Sequence, residues 1–320
     1  MTTITIFPIL CGGYSRKADS AILAELKKRL FEGAVKMKSA MVIVVFLFLN
    51  FFSIYSFSKS VNMPELKEYF DKYHLSGSIV IYNMNDDQYI RYNPERCRQG
   101  FLPASTFKIF NSLAGLESGV IKDKNYTMEW DGKDHGSPFW NKDQSLETAF
   151  KYSAVWYFQE LARRVGPVKM KYFLDGTGYG NGDISAGIDI FWLEGNFRVS
   201  QDEQIEFMKK FYNCRLPVFS RKNIDIVKSL MLQESSDRYK LYAKTGTVSR
   251  VAPFMGLWVG FIENAGNVYF FDINVQDDNF DKNRDGNFYD HIAGPRILLT
   301  KEIMKYLGIY PGNITFQKNR

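Results

Sequence analysis

Two long apolar strand patterns meet at a short turn near the C-terminal end of the chain. Residues 255–275, MGLWVGFIENAGNVYFFDINV, are rich in β-branched and aromatic residues, with Asn-Ala-Gly-Asn between the two halves. This pattern predicts a β-hairpin. Residues 238–248, RYKLYAKTGTV, alternate apolar and polar residues and predict a further strand. This part of the chain must therefore build a sheet.

Strand patterns also occur early in the chain. Residues 76–93 predict two strands around an Asn-Asp-Asp turn. Between about 120 and 235 the pattern is mostly helical, and PRILLTKEIMKYLGI at 295–309 predicts a closing helix. The order predicts an α+β fold, with one antiparallel sheet made from both chain ends, flanking helices and an inserted helical subdomain.

Capping residues place several helix boundaries in that middle region. Residues 145–167 predict a helix that ends at its Gly-Pro pair. Ser200 and Glu203 have the spacing of a capping box. Ser220 is the predicted N-cap of the next helix.

Length, composition and charge narrow the classes of protein to which this chain can belong. The chain has 320 residues, of which 45% are hydrophobic and 16% aromatic, which indicates a globular protein with ample core. The formal net charge is +6, but most of the excess lies in the first 58 residues. The remainder is nearly balanced and gives no indication of a nucleic-acid partner.

The three cysteines, Cys11, Cys97 and Cys214, form no CxxC motif and no dense disulfide framework. A bridge between Cys97 and Cys214 stays open, since spacing does not determine connectivity. Two inert thiols are the favoured interpretation.

The region before residue 59 has the layout of a targeting segment. Residues 37–58, MKSAMVIVVFLFLNFFSIYSFS, combine one lysine, a long apolar run and small residues at the end, which predicts a signal peptide. The 59–320 segment is then the mature domain, exported to the periplasm. The run is short for a membrane span, which needs about 20 apolar residues. The alternative is a signal anchor that holds the protein at the inner membrane.

Residues 1–36 form an upstream extension of doubtful status. They contain a basic amphipathic stretch, RKADSAILAELKKRL, without cleavage features of its own. Either translation starts at Met37, or this extension is a short cytoplasmic tail before an anchor.

A serine and a lysine lie one turn apart in the segment FLPASTFKIFNSLAGLESG, residues 101–119. Pro103 precedes the predicted helix and Gly119 occupies its C′ position. Ser105 and Lys108 share a helix face, so the amine can reach the hydroxyl. The free N–H groups at a helix start also suit an oxyanion. The pair fits a nucleophile and its base, although an N-cap serine before a snorkelling lysine would look the same.

Two further motifs follow in order. Lys244-Thr245-Gly246 lies in a predicted strand, where the glycine allows close approach and the lysine and threonine suit a carboxylate. Ser153 and Val155 lie in the helical region as Ser-x-Val. Each motif is weak alone, since a strand end or a helix kink explains it equally well.

The ordered set of motifs resembles the penicillin-recognising serine enzymes and, among them, the class D (oxacillinase-type) β-lactamases. Tyr179-Gly180-Asn181 matches the Tyr-Gly-Asn element of that class, and FWLEG at 191–195 matches its tryptophan segment. QELARR at 159–164 is similar as well. The resemblance covers about residues 68–310 and implies a hydrolase that opens the cyclic amide of penicillin-type antibiotics and so gives resistance.

The resemblance implies roles for the catalytic residues. Ser105 is the acylated nucleophile, and Lys108 carries a covalent carbon dioxide as a carbamate and acts as general base. Val155 and Trp192 line the carbamate pocket, and Ser153 relays a proton to the leaving nitrogen. No other cofactor and no metal are implied.

Substrate binding is implied for the strand motif and for one arginine. Lys244, Thr245 and Arg296 hold the substrate carboxylate, Gly246 gives close access to the strand, and the N–H of Thr247 completes the oxyanion hole with that of Ser105. Thr247 departs from common class D sequences, which leaves the antibiotic spectrum open.

The sequence contains no convincing metal-binding motif. His74, His135 and His291 lack zinc-site spacing. DKNRDGNFYDHI, residues 281–292, begins like a calcium loop but has isoleucine at its twelfth position, so a solvated loop is favoured. Glu194 is interpreted as structural rather than as a base.

Two alternatives share the acylation machinery: a penicillin-binding D,D-peptidase, and an antibiotic-sensor domain that acylates without turnover. The expected partners are β-lactam antibiotics, and the expected oligomeric state is a monomer or a weak homodimer.

Overall fold

The computed structural model describes residues 24–29, 32, 58–281, 288–292 and 294–314. The chain divides into two units, Met1–Phe57 and Ser58–Arg320. In the first unit residues 24–29 are helical and exposed. The predicted signal peptide lies outside the described residues except for Ser58, and it stays a prediction. Across the described ranges no helix is long and apolar enough to cross a membrane.

The second unit is built on a seven-stranded sheet, in the order β1-β3-β2-β9-β8-β7-β6, with a separate β4-β5 ribbon, as far as the described residues go. The strands are β1 (Lys59–Asn62), β2 (Ser76–Asn83), β3 (Gln88–Tyr92), β4 (Thr127–Met128), β5 (Gln144–Ser145), β6 (Leu232–Ser235), β7 (Tyr239–Val248), β8 (Met255–Asn264) and β9 (Asn267–Gln276).

The sheet joins both ends of the chain, as predicted. Strand β2 pairs with β9 in antiparallel register, from Ser76 opposite Gln276 to Asn83 opposite Tyr269. Every pair in the sheet is antiparallel except β1–β3, which is parallel. The sequence did not predict this parallel edge, because β1 is only four residues long and mostly exposed.

Both faces of the sheet are covered. On one face Ile81, Phe271 and Ile273 share a core with Leu299 and Ile303 of the closing helix. The other face shares a larger core with the helical middle of the chain. Two covered faces explain why β8 and β9 read as nearly continuous apolar runs. Each fully buried Phe or Ile contributes roughly 1.5–3 kcal/mol relative to exposure.

Ten α-helices lie in the described part of the second unit. They are α1 (Lys67–Lys72), α2 (Pro94–Arg98), α3 (Lys108–Glu117), α4 (Leu146–Tyr152), α5 (Val155–Val165), α6 (Pro167–Thr177), α7 (Gln201–Tyr212), α8 (Arg221–Met231), α9 (Phe288–Ile292) and α10 (Pro295–Tyr306). A 3-10 turn, Ala104–Phe107, leads directly into α3.

The helix caps agree with those predicted from the sequence, except at Ser220. Ser200 and Glu203 form the predicted capping box at the start of α7. Gly119 follows the end of α3 with φ +76°, the left-handed conformation that favours glycine at C′. Ser220 is the N-cap of α8, but its hydroxyl donates to Glu117 Oε2 at 2.9 Å instead of capping its own helix.

The helix predicted over 145–167 is interrupted. The structure has two helices, α4 and α5, because Ser153 adopts φ +58° and ψ +37°. Ala154 N donates to Ala149 O at 2.9 Å and closes the end of α4. No glycine or proline marks this break, so the sequence pattern did not reveal it.

We expect Ser200→Ala to lower the free energy of unfolding by about 1 kcal/mol, because α7 loses the acceptor for the Glu203 N–H. Urea unfolding measures this change. The matched control is Ser229→Ala, at a solvent-exposed position within α8. It should leave the free energy of unfolding unchanged or slightly raised, since alanine favours a helix. Equal losses from both substitutions would contradict a specific role of the cap.

Candidate active site

Ser105 lies on the 3-10 turn before α3 rather than inside the helix. Thr106 Oγ1 donates to Pro103 O at 2.7 Å, and Ala104 N donates to Trp192 O at 3.0 Å. Ala104 has φ +47°, a strained value for a residue with a side chain. The turn is thus held by its neighbours in a conformation that it would not adopt alone.

The amine of Lys108 is enclosed completely, with 0% of the residue exposed. Its Nζ lies 2.9 Å from Ser105 Oγ, 2.6 Å from Ser153 O and 2.8 Å from Ser153 Oγ. Burial, and then the positive charges of Lys244 and Arg250, hold the pKa of Lys108 well below its usual 10.5. A neutral amine has two hydrogens for Ser153 and a lone pair for the Ser105 proton. The geometry therefore suits a base.

The hydroxyl of Ser153 lies between the amines of Lys108 and Lys244. The Oγ atom lies 2.8 Å from Lys108 Nζ and 3.1 Å from Lys244 Nζ. The break between α4 and α5 makes this position possible, because a residue in a continuous helix would keep its carbonyl within the helix. At Ser153 the carbonyl is free to accept from Lys108.

Lys244 is the second buried amine, with 5% of the residue exposed, on strand β7. Burial, and then the charge of Arg296, lowers the pKa of Lys244 to about 7. Its Nζ also donates to Thr245 O at 3.1 Å. Near neutral pH the charged and neutral forms of this amine are therefore both populated.

Gly246 permits the closest contact between the strand and the nucleophile turn. A Cβ at this position would lie 2.9 Å from Pro103 O and 3.0 Å from Thr106 Cγ2. The neighbouring Thr245 and Thr247 are half-buried. The predicted close approach at Gly246 is thus made by the turn that carries Ser105.

Arg296 holds this strand from the other side. Its Nη1 donates to Gly246 O and to Thr247 Oγ1, both at 2.7 Å, and only 2% of the residue is exposed. These contacts fix the strand beside the predicted carboxylate site. Direct contact between Arg296 and a substrate carboxylate stays a prediction.

Trp192 has an unused hydrogen-bond donor. Its ring is fully buried and stacks on Phe107 at 5.4 Å between centroids, yet Nε1 has no hydrogen-bond partner among the residues that the structure describes. A buried N–H without an acceptor costs about 1–3 kcal/mol. A carbamate on Lys108, the residue after the Phe107 ring that stacks on Trp192, would supply oxygen acceptors for such a donor and would need the neutral amine.

Two apolar residues of helix α5 lie after the Ser153 break. Val155 is the first residue of α5, directly after the Ser153 break, and is half-buried. The role of Val155 in a carbamate pocket stays a prediction. The ring centroid of Phe158 on the same helix lies 5.3 Å from Lys108 Nζ. Sequence reasoning missed Phe158, because its apolar position matches any core residue.

Three residues of the family-like motifs make structural contacts: Tyr179, Asn181 and Glu194. The Tyr179 hydroxyl donates to Gln204 Oε1 at 2.8 Å, and Asn181 Nδ2 donates to Asn196 O at 2.8 Å. Glu194 pairs with Arg250 at 2.7 Å, in keeping with a structural role.

Cys97 and Cys214 are free thiols, and burial raises the pKa of Cys97 to about 12. In the described ranges no group of three or more His, Cys, Asp or Glu residues could hold a metal ion. Half of the 281–292 loop lies outside those ranges.

Comparisons with known proteins agree with this geometry. The family model described as "Penicillin binding protein transpeptidase domain" matches residues 65–305. The β-lactamase OXA-48 of Klebsiella pneumoniae is 41% identical over 76% of this chain and 88% of its own length. The regulatory protein BlaR1 of Bacillus licheniformis is 38% identical over 68% of this chain, but the match spans 36% of that protein.

A solved class D β-lactamase from Nostoc has a TM-score of 0.70 and 40% identity, covering 76% of this chain and 98% of the other. The chain therefore belongs to the penicillin-binding transpeptidase-domain family and, within it, to the class D β-lactamases.

Proposed function

We propose that this protein hydrolyses β-lactam antibiotics through an acyl-enzyme on Ser105, and so confers resistance. The observation that carries the proposal is the continuous set of contacts from Ser105 Oγ to Lys108 Nζ, Ser153 Oγ and Lys244 Nζ, at 2.9, 2.8 and 3.1 Å. Such a set can take a proton from the nucleophile and return one to a leaving nitrogen.

Lys108 governs the nucleophile in this proposal. Its lowered pKa favours the neutral amine, the form that reacts with carbon dioxide. When bound as a carbamate, the carbon dioxide supplies a general base for Ser105 and for the hydrolytic water. Trp192 Nε1 would donate to such a group, while the buried apolar residues around Lys108 exclude bulk water.

Ser153 and Lys244 handle the proton of the leaving group. Ser153 Oγ lies within hydrogen-bond distance of both amines, so it passes a proton to the lactam nitrogen as the amide opens. Lys244 has a pKa of about 7, so it can restore that proton from solvent near neutral pH.

The strand motif and the nucleophile turn orient the substrate. Lys244 and Thr245 attract the antibiotic's carboxylate. Arg296 holds the strand in place for this contact by donating to Thr247 Oγ1. The backbone N–H groups of Ser105 and Thr247 stabilise the oxyanion. Gly246 keeps these two segments in contact, as any side chain there would separate them.

The main alternative is an acylating protein without turnover. The match with BlaR1, a regulatory protein by name, shows that this domain type also occurs in a regulatory context. A D,D-peptidase would likewise acylate well and deacylate antibiotics slowly. The alternatives differ from a β-lactamase in the fate of the acyl-enzyme, not in its formation.

We expect steady turnover of nitrocefin, with product formation continuing far beyond one equivalent of enzyme. The reason is that the buried base next to Ser105 also serves the deacylating water. Stopped-flow and steady-state absorbance measure both phases. A single stoichiometric burst followed by a stable adduct would support the sensor or peptidase alternative instead.

Ser105→Ala should reduce hydrolysis at least about a thousandfold, because the attacking oxygen is removed. The fold should stay intact, which circular dichroism and thermal unfolding would check. Ser118→Ala, at the opposite end of α3, is the control and should keep full activity. Substantial turnover by the Ser105 variant would disprove the serine mechanism.

Activity should depend on bicarbonate and fall at acidic pH. As pH drops through the lowered pKa of Lys108, the amine takes a proton and can no longer hold carbon dioxide. Trp192→Phe should weaken carboxylation about tenfold to a hundredfold, since a hydrogen bond to a charged group contributes roughly 1.5–3 kcal/mol. Carbon-13 NMR with labelled bicarbonate detects the carbamate directly, independently of activity.

The matched control is Trp130→Phe. In the wild type, Trp130 Nε1 donates to Lys133 O at 2.7 Å in a loop. This variant should keep both the NMR signal and the activity. Added bicarbonate should restore the degassed Trp192 variant. Absence of a carbamate signal in the wild type would mean that Lys108 acts as a free amine.

We also propose export to the periplasm, with cleavage near Ser58. The support is the apolar run at 37–58, which follows the layout of a signal peptide. N-terminal sequencing of the periplasmic protein should give a mature chain that begins close to residue 59. A membrane-bound product that retains Met37 would establish the anchor alternative.

A further inference from the structure

A small cavity lies directly behind the turn that carries Ser105. Its volume is about 20 Å³, and its polar lining comprises Thr106, Gln201, Gln204, Asp272 and Asn274. One water needs about 10–15 Å³ of such space and two to four polar partners. The cavity is therefore of the size for a single water.

Asn274 lines this space and has an unused hydrogen-bond donor. Its Oδ1 accepts from Arg96 Nε at 2.7 Å and from Ser78 Oγ at 3.3 Å, which fixes the amide orientation. Its Nδ2 lacks a partner in the described part of the chain, although only 1% of the residue is exposed. Native proteins rarely leave such a donor unused.

Asp272 presents a carboxyl group to the same cavity from the central strand β9. Its partners across the sheet are Val80 and Val259, and 5% of the residue is exposed. Burial raises the pKa of Asp272 well above its usual range; a hydrogen bond with Gln201 opposes this rise and the charge of Asp202 adds to it. The raised pKa favours the protonated acid, whose O–H can donate.

The other wall of the cavity is the nucleophile turn. Thr106 Oγ1 accepts from Gln204 Nε2 at 3.2 Å and donates to Pro103 O at 2.7 Å. One lone pair of that oxygen is left for another donor. Thr106 is adjacent to Ser105 and packs where a Cβ on Gly246 would lie.

We propose that one internal water occupies this cavity, bound by Asp272 and Asn274, and that Asp272 is a positioning residue which supports the Ser105 turn through this water and Thr106. The inference rests on the proposed function of Ser105 as the nucleophile. The water accepts from Asn274 Nδ2 and from the Asp272 O–H, and it donates to Thr106 Oγ1. Both buried donors and the turn are then satisfied together.

The decisive measurements are a high-resolution crystal structure and the rate of Ser105 acylation, followed by intact mass. The crystal structure should show a water within hydrogen-bond distance of the Asp272 carboxyl and of Asn274 Nδ2. Asp272→Val should remove the water and slow acylation about tenfold to a hundredfold, since small misplacements of reacting groups have effects of that size.

Asp272→Asn should acylate within about twofold of the wild type, because a neutral amide replaces the neutral acid as donor. This rescue separates positioning from general loss of packing. Thr177→Val is the matched control: it is another buried polar-to-apolar change, and the Thr177 hydroxyl donates to carbonyls of its own helix. It should leave acylation unchanged.

Two results would overturn the inference: a dry cavity in the wild-type crystal, or wild-type acylation by Asp272→Val. The crystal result holds even if that variant fails to fold. Failure of Ser105 as the nucleophile is distinct, because the wild type itself would then show no adduct on Ser105, whereas an acylating protein without turnover would still show one.

Discussion

The structure depends on the burial of one amine. Lys108 is fully enclosed, and the three atoms it contacts belong to neutral groups, two of them on Ser153. Removing an ammonium from water without a counter-ion is costly, so the site favours the uncharged form. The broken helix at Ser153 and the unused donor of Trp192 are both arranged around that neutral nitrogen. A lysine in this setting becomes a reactive base rather than a fixed charge.

The geometry around that amine relies on two left-handed residues that are not glycine. Ala104 precedes the nucleophile and Ser153 ends a helix, with φ of +47° and +58°. Each such residue costs of order 1–3 kcal/mol and persists only where its surroundings enforce it. At Ala104 the turn packs against Gly246 and the stacked rings of Phe107 and Trp192. At Ser153 the carbonyl and hydroxyl bond Lys108 and Lys244. The strain is therefore balanced by contacts within the site itself.

Local patterns in the sequence predicted most of the fold. Alternation identified β7 to β9, capping residues identified the start of α7, and the i, i+3 spacing brought Ser105 and Lys108 together. Contacts between distant segments were not predictable in this way. The break at Ser153 has no glycine or proline, and the hydroxyl of Ser220 bonds Glu117 on another helix. Arg296 was expected at a carboxylate, and the structure shows it bonded to the strand that would bind one.

The sheet that joins both chain ends also sets when the site can exist. Ser76 and Gln276 pair although they are 200 residues apart, and Lys244 reaches Ser153 across 91 residues. Contacts of such long range form late and slowly in folding. A growing chain that lacks β7 to β9 has its serine and its lysine but no strand to hold them. The reactive centre is thus assembled only when nearly the whole polypeptide is present, which keeps an activated serine from appearing on an unfinished chain.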